Sequence, residues 1–306
     1  MPKTILITGA TGRQGGAVIN SLLTQDADVE ILAVTRNTSS GGAQKLQQKE
    51  PSKIKLVEGN LDEPEGIFAN VKKVTSQPVW GVFSVQSPNP GSSDQTAEEN
   101  QGKALVDAAL KNSVQLFVYT SVDRGGDEVS FDNPTPIPHF ISKHNIEHYL
   151  VEQARGTNMS WTILRPVAFM DNFTPDFFGK VFTTAWKVAV KDKPLQLVSV
   201  EDIGFFGAQA FINPEIYKGK CLSLAGDELT FGEMGRVFKA KTGNEVPLTF
   251  EFVARILLWL MPDFGEMFRW FYDRGYGADI MALRNLHPGM RNFGTWLEIE
   301  SGFETK

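Results

Sequence analysis

Short hydrophobic runs alternate with longer amphipathic stretches over the first half of the chain. A run that does not alternate with polar residues is typical of a strand buried on both faces, as in a parallel sheet covered by helices. The runs predict six strands, at Thr4–Thr8, Glu30–Thr35, Ile54–Glu58, Trp80–Val85, Leu116–Ser121 and Ser160–Leu164. The intervening stretches predict helices near Gly12–Gln25, Gly66–Val74, Thr96–Asn112 and His139–Arg155. We interpret Ser39-Ser40-Gly41-Gly42 as a loop.

The alternation of strand and helix patterns ends after about residue 165, where proline, phenylalanine and glycine become frequent. Strand candidates there are few, at Leu195–Val200 and Lys220–Leu224. We therefore predict an α/β protein with a Rossmann-type doubly wound parallel sheet in residues 1–165. Residues 166–306 are predicted to form a smaller C-terminal α/β lobe that binds substrate or partner, with an approximate boundary because the lobe interleaves with the sheet. Within it, the aromatic stretch Phe250–Tyr276 is interpreted as core or lid helices.

Composition narrows the classes of function. The 306 residues include 30 Lys and Arg and 36 Asp and Glu, a net charge of −6, which argues against direct binding of nucleic-acid phosphates. The longest apolar stretch, 252–262, contains Arg255 and is shorter than the ~20 residues of a membrane span, so no membrane partner is expected. Cys221 is the single cysteine and cannot close an internal disulfide, so we expect a cytoplasmic protein, with the nucleus as a second candidate.

A glycine-rich loop follows the first predicted strand. Its sequence, Thr8-Gly9-Ala10-Thr11-Gly12-Arg13-Gln14-Gly15, places glycines at a Gly-x-x-Gly-x-x-Gly spacing before a helix. In this context glycines permit a tight turn, close approach of a pyrophosphate to backbone N–H groups, and close helix–strand packing. The helix N-terminus adds partial positive charge for the phosphates. The loop therefore predicts a dinucleotide site that includes Gly9, Thr11, Gly12, Arg13, Gln14 and Gly15.

The end of the second predicted strand indicates which dinucleotide is bound. An acidic residue there would bind the ribose 2′-hydroxyl of NAD, but the sequence is Val34-Thr35-Arg36-Asn37. A guanidinium at Arg36 pairs with a 2′-phosphate, and Arg13 is a second candidate for the same phosphate, so the predicted cofactor is NADP(H). Further contacts are predicted after the third and fourth strands, from Asn60 and Leu61 to the adenine and from Gln86 and Ser87 to the pyrophosphate and nicotinamide ribose.

At these residues the chain resembles the NmrA-like family, an atypical branch of the short-chain dehydrogenase/reductase superfamily. Further matches are Thr120-Ser121, the Phe-x-x-Lys-x-x-x-Glu pattern within 138–147, and the Arg-Pro-x-x-Phe-Met-x-Asn-Phe pattern within 164–173. Two late landmarks, 200–204 and 286–289, also match, so the resemblance covers nearly the whole chain. The resemblance implies an NADP-binding Rossmann fold. It also assigns cofactor contacts to Pro166, Phe169 and Asn172.

The same resemblance raises the question of catalysis. Ordinary members of the superfamily use Ser, Tyr and Lys, with the last two in a Tyr-x-x-x-Lys pair. Here Lys143 and Ser121 match, whereas His139 stands at the tyrosine position. Lys143 either anchors the nicotinamide ribose without a proton donor beside it, or His139 or Lys143 itself acts as the acid. His144 and His148 have a spacing that suits zinc, but with no third ligand evident, no metal is predicted.

Two functions follow, and the same fold hosts both. The first is an NADP(H)-binding, redox-sensing regulator that acts through a protein partner such as a transcription regulator, as the resemblance implies. The alternative is an NADPH-dependent reductase of a small aromatic or carbonyl-bearing substrate, bound by the phenylalanine-rich second lobe. The missing tyrosine favours the regulator, and the oligomeric state stays open.

Overall fold

The computed structural model describes residues 2–86 and 96–306. Their strands, numbered along the chain, are β1 (Lys3–Ile7), β2 (Val29–Thr35), β3 (Ile54–Glu58), β4 (Val79–Ser84), β5 (Leu116–Thr120), β6 (Ser160–Pro166), β7 (Ala168–Phe169), β8 (Leu195–Val198), β9 (Lys220–Leu224) and β10 (Asp227–Leu229). Their helices are α1 (Arg13–Thr24), α2 (Gly41–Lys49), α3 (Pro64–Val74), α4 (Ala97–Lys111), α5 (Asp127–Ser130), α6 (Pro138–Ala154), α7 (Phe177–Ala185), α8 (Val200–Ile212), α9 (Pro214–Tyr217), α10 (Phe231–Thr242), α11 (Glu251–Leu260), α12 (Pro262–Asp273), α13 (Ile280–Leu286) and α14 (Phe293–Ile299).

Among the described residues, seven strands form one sheet in the order β3-β2-β1-β4-β5-β6-β9. Strands β1 to β6 pair in parallel, and Ile5 of β1 lies opposite both Ile31 of β2 and Gly81 of β4. The six strands predicted from the hydrophobic runs are present, with ends that differ by at most two residues. The predicted Rossmann-type doubly wound sheet is confirmed. Its strand order reverses between β1 and β4, which is where such sheets bind ligands.

The chain divides into two compact units built from interleaved segments. The first, here called the sheet unit, comprises Met1–Ser121, Ile141–Leu164 and Ile203–Cys221. Its core is mainly aliphatic, with Leu32, Val82, Leu105 and Ile146 fully buried between strands and helices. Apolar residues on both faces of the strands explain why the runs do not alternate with polar positions.

The second unit, here called the aromatic unit, comprises Val122–Phe140, Arg165–Asp202 and Leu222–Lys306. Its three-stranded sheet has the order β10-β8-β7, and its core is rich in aromatic rings. The ring of Phe173 makes edge contacts with Phe182, Trp186 and Phe293 at centroid distances of 5.4, 5.8 and 5.2 Å. Such geometry is favourable because ring edges carry partial positive charge and ring faces partial negative charge.

The interpretation of residues 39–42 as a loop is wrong for its second half. Helix α2 begins at Gly41, and the Ser40 hydroxyl caps it by accepting a hydrogen bond from the Ala43 N–H at 3.3 Å. Serine is a favoured N-cap because it satisfies a backbone donor that has no partner within the helix. Burial of Ala43 and Leu46 then offsets the conformational cost of the two glycines.

The aromatic stretch 250–276 forms two helices that differ in burial. Helix α12 contributes Phe268, Trp270 and Phe271 to the core, as the interpretation as core helices requires. Helix α11 buries Ala254 but leaves Phe252 61% and Trp259 79% exposed. No helix of the described ranges is both long enough and apolar enough to cross a bilayer.

Candidate functional site

The glycine loop is shaped by close backbone contacts at the carboxyl end of β1. Gly9 has φ of +58°, a conformation that L-residues rarely adopt, and its carbonyl accepts the Gly12 N–H at 2.8 Å. Helix α1 starts directly after Gly12. A β-carbon on Gly15 would lie 2.6 Å from the carbonyl oxygen of Thr8 and closer still to that of Gly9. The loop is therefore a cradle of backbone without space for a side chain at Gly15, which lets α1 pack closely against the end of β1.

The end of β4 lies against this loop. The Thr8 hydroxyl donates to the Phe83 carbonyl at 3.0 Å and accepts the Val85 N–H at 2.9 Å. Gln86 is buried, and its side-chain amide donates to the Ser84 hydroxyl at 2.9 Å. Within residues 2–86 and 96–306, the amide oxygen of Gln86 has no hydrogen-bond partner. Such an acceptor is costly to bury unless a ligand or water supplies a donor. Ser87, predicted as a cofactor contact, lies outside the described residues.

The end of β5 reaches the same edge of the sheet. The Thr120 hydroxyl donates to the side-chain oxygen of Gln14 at 2.6 Å, although the two residues are 106 positions apart. Ser121 follows β5, is buried, and donates its N–H to the Leu164 carbonyl at 2.7 Å. Parallel strands thus bring the loops after β1, β4 and β5 together, as the strand order predicts.

The remaining predicted cofactor residues of the sheet unit lie after β2 and β3. Arg36 follows the last residue of β2 and is exposed, as are Thr11 and Arg13 of the glycine loop. The Asn60 amide donates to the Asp62 carboxylate at 2.8 Å, which orients it within its own turn. Leu61 is partly buried and packs against the core of the sheet unit.

Lys143 forms a buried ion pair. Its ammonium nitrogen lies 2.8 Å from the Glu98 carboxylate, and the two side chains are only 11% and 6% exposed. Burial removes both groups from water, so the pair is held by mutual attraction in a medium of low polarity. The ammonium is thereby fixed in one place on α6.

Close helix packing explains how Glu98 reaches Lys143. A β-carbon on Gly102 of α4 would lie 2.5 Å from the Ile146 side chain of α6, so any larger residue there would force the Ile146 side chain to shift. One turn earlier on each helix, Glu98 meets Lys143. Sequence reasoning missed Glu98, although a signal existed. Glu98 lies on the same face of α4 as the buried Gly102 and Leu105, at the spacing of an apolar stripe.

His139 is paired with an acid of the aromatic unit. Its Nδ1 lies 2.7 Å from one Asp263 carboxylate oxygen and 2.8 Å from the other, and its backbone N–H also points to Asp263. Burial alone would raise the pKa of Asp263, but the hydrogen bonds and charge of His139 outweigh burial and lower that pKa. Asp263 lies 124 residues from His139, so local spacing carried no signal for it.

The predicted contacts from the later motif lie in the aromatic unit. Pro166 is the last residue of β6, Phe169 is the last residue of β7, and Asn172 ends a single 3-10 turn. The Pro166 carbonyl accepts the N–H of Asp123 at 3.1 Å. The Asp123 carboxylate is itself fully buried, and its partners include the Gly277 N–H at 2.9 Å. These contacts fix the segment that follows Ser121.

The two late landmarks contact each other. Asp202, at the start of α8, is fully buried and accepts the backbone N–H of Arg291 at 3.0 Å. The Nε2 atom of His287 lies 3.2 Å from the same carboxylate. The motifs at 200–204 and 286–289 are therefore joined through contacts to the Asp202 carboxylate.

The two histidines whose spacing suits zinc, His144 and His148, both lie on α6. The rings of His144 and His148 lie 4.3 Å apart at an angle of 40°. Over the described ranges, no group of three or more His, Cys, Asp or Glu side chains is arranged to hold a metal ion.

The chain is 27% identical over 266 residues to the NmrA-like family domain-containing oxidoreductase cpsB of Aspergillus campestris. The matched region covers 80% of this chain and 74% of that protein. It is 24% identical over 269 residues to the corresponding oxidoreductase FrzB of a Cladobotryum species, over 80% of this chain and 75% of that one.

Two solved structures share the fold. The Escherichia coli NADPH-dependent quinone oxidoreductase QOR2 with NADPH has a TM-score of 0.71 and 19% identity, over 96% of this chain and 98% of that one. The Citrobacter triphenylmethane reductase with NADP(H) has a TM-score of 0.70 and 21% identity, over 96% and 99%. The model of the NmrA-like family matches residues 1–297, which confirms the resemblance found in the motifs. The chain belongs to the NmrA-like family.

Proposed function

We propose that the protein is an NADPH-dependent oxidoreductase that reduces a small carbonyl-bearing or aromatic substrate. The observation that carries this proposal is that relatives matching about 80% of the chain are named oxidoreductases. The cofactor complexes of the two structural neighbours add support for NADP(H). Because fold alone does not decide function, the residues of this chain must also suit the chemistry.

The residues suit NADP(H). The glycine loop leads into the N-terminus of α1 at Arg13, which favours a pyrophosphate there, and the buried Gln86 oxygen has no donor among the described residues. Arg36 and Arg13 are both cationic and exposed, as binding of the 2′-phosphate requires, and the proposed ribose contact comes from the fixed Lys143 ammonium. When bound, the cofactor supplies a hydride equivalent.

A redox-sensing regulator that acts through a protein partner is the second candidate. The observation that favours it is His139 at the tyrosine position of the superfamily pair. A regulator would bind NADPH without consuming it, so turnover separates the two candidates.

Cofactor preference tests the binding part of the proposal. Isothermal calorimetry is expected to show NADPH binding roughly ten- to hundredfold more tightly than NADH, because a charge-assisted contact is worth about 1.5–3 kcal/mol. Arg36→Gln should remove this preference, whereas Arg155→Gln, an exposed arginine of the same unit, should leave it intact. Equal wild-type affinity for the two cofactors would contradict the assignment of Arg36.

Turnover tests the reaction. Oxidation of NADPH followed at 340 nm with a panel of carbonyl compounds should show turnover by the wild type. Gly12→Val should remove both binding and turnover, because a β-carbon there lies only 3.1 Å from the Gly9 carbonyl and fills the cradle. Gly66→Val is the control, since a β-carbon on Gly66 meets no atom of the described residues within 4 Å. NADPH binding without turnover on any substrate would favour the regulator.

A further inference from the structure

We propose that Asp263 and His139 form an acid–base dyad in which Asp263 positions the imidazole and His139 delivers a proton to the substrate. This inference rests on the reductase function proposed above and deepens it, because every hydride transferred to a carbonyl requires one proton. No short-range sequence motif contains Asp263, which reaches His139 from the start of α12.

The contact has the geometry of a positioned imidazole. Both carboxylate oxygens of Asp263 lie within 2.8 Å of Nδ1 of His139, and the backbone N–H of His139 points to the same carboxylate at 3.4 Å. The ring of Phe140 lies edge-on to the imidazole at a centroid distance of 4.6 Å. Phe140 is itself buried against Trp270 of α12. The ring is thus held by hydrogen bonds on one side and by packing on another.

This arrangement leaves the second ring nitrogen available. Among the described residues, Asp263 is the only hydrogen-bond partner of the His139 ring, and it uses Nδ1. The His139 side chain is 19% exposed, so Nε2 is not sealed in the core. A carboxylate at Nδ1 keeps a proton on that atom and stabilises the imidazolium, which leaves Nε2 to give and regain a proton.

Lys143 is less suited to this task. Its ammonium lies 2.8 Å from Glu98, and both side chains are nearly inaccessible to solvent. A proton that leaves Lys143 would leave the Glu98 carboxylate as an uncompensated buried charge, which is energetically costly. Asp263, in contrast, is 46% exposed, so water stabilises its charge when His139 becomes neutral.

The proposed reduction transfers one hydride and one proton to the carbonyl group. The carbonyl π bond breaks, the carbon forms a C–H bond with the hydride that NADPH provides, and the oxygen forms an O–H bond with the proton from Nε2 of His139. NADPH is oxidised to NADP⁺, and the carbonyl compound is reduced to an alcohol. The neutral imidazole then takes up a proton from the buffered solvent, so that each turnover consumes one NADPH and one proton overall.

Nitrogen NMR of the protein labelled with ¹⁵N-histidine tests the dyad without turnover. The chain has four histidines, and the His139 signals are those lost in His139→Gln. At alkaline pH the wild-type ring should carry its proton on Nδ1, and Asp263→Ala should shift the proton towards Nε2. Glu266→Ala, which removes another acid of α12, should leave the tautomer unchanged. A wild-type ring protonated on Nε2 would overturn the positioning role of Asp263.

Kinetics test the proton transfer. His139→Gln should lower kcat by about 10²–10⁴, the usual contribution of general acid catalysis, with NADPH affinity unchanged. Asp263→Ala should lower kcat by about tenfold or more with little change in KM, and should alter the pH profile of kcat. Wild-type kcat in His139→Gln would overturn the dyad and leave the reductase standing. Absence of wild-type turnover would instead overturn the reductase, and with it the proton-donor role, whatever tautomer NMR reports.

Discussion

Helix α6 carries two basic side chains four residues apart, and each is paired with a carboxylate in a different setting. The Lys143–Glu98 pair belongs to the sheet unit, with side chains 11% and 6% exposed. The His139–Asp263 pair belongs to the aromatic unit, with side chains 19% and 46% exposed. The buried pair is shielded from water, whereas the half-exposed His139–Asp263 pair is in contact with solvent. Burial thus distinguishes the proposed cofactor anchor, Lys143, from the proposed proton donor, His139.

The buried pair should have the largest effect on stability. Glu98→Ala leaves the Lys143 ammonium buried without its partner, which is expected to lower the free energy of unfolding by about 3–5 kcal/mol. Urea denaturation measures this loss. Glu65→Ala is the matched control, because the Lys111–Glu65 pair is 69% and 58% exposed and should contribute less than about 1 kcal/mol. Equal losses in the two variants would remove the distinction between buried and exposed pairs.

Removal of both the Lys143 and the Glu98 charge tests whether the stability loss comes from an unpaired buried charge. The double variant Lys143→Met, Glu98→Gln leaves no uncompensated charge, so it should recover most of the stability lost in Glu98→Ala. NADPH affinity should nevertheless fall, because the proposed ribose contact of Lys143 is gone. Urea denaturation and calorimetry on one preparation separate these effects. Wild-type NADPH affinity in the folded double variant would contradict the anchor role.

The sequence alone was sufficient to predict the sheet, but it was insufficient to predict the ion-pair and hydrogen-bond partners of the polar residues. Hydrophobic runs predicted β1 to β6 because buried parallel strands are apolar on both faces. The glycine loop was predictable because its spacing is local. Glu98 left a detectable signal on α4, but Asp263 lies 124 residues from His139, and only tertiary packing brings them together. The Ser40 cap differs, because its signal is local, but it lies in a short polar stretch that was interpreted as a loop.

The half-exposed pair should have a smaller, pH-dependent effect. The pKa of Asp263 is lowered from its ordinary value of 3.8, so the folded state binds its proton less readily than the unfolded state does. Its contribution to stability is therefore present above about pH 4 and is lost as the pH falls through the lowered pKa. Because the side chain is 46% exposed, we expect Asp263→Asn to cost less than about 1 kcal/mol at neutral pH.

The pH dependence separates this pair from a packing contact. The stability difference between wild type and Asp263→Asn, measured by urea denaturation, should close as the pH falls below 3.8. The ordinary carboxyl pKa lies near about 4, so the measurement extends to about pH 3. A stability difference that stays constant down to that pH would mean that the carboxylate charge contributes nothing to stability.

The smallest effect is expected further along α6, where Tyr149 is partly buried. Its hydroxyl donates to the Asp107 carboxylate at 2.7 Å, and this hydrogen bond, with burial and neighbouring acids, raises the pKa of Tyr149 to about 12. Absorbance of tyrosinate should show one fewer tyrosine ionised at about pH 11 in the wild type than in Asp107→Ala. Asp28→Ala, an exposed acid of the same unit, should behave as the wild type. The raised pKa stabilises the protein up to about pH 10 and is lost as the pH rises towards 12, so a tyrosine that titrates normally in the wild type would show that exposure to water cancels the contact.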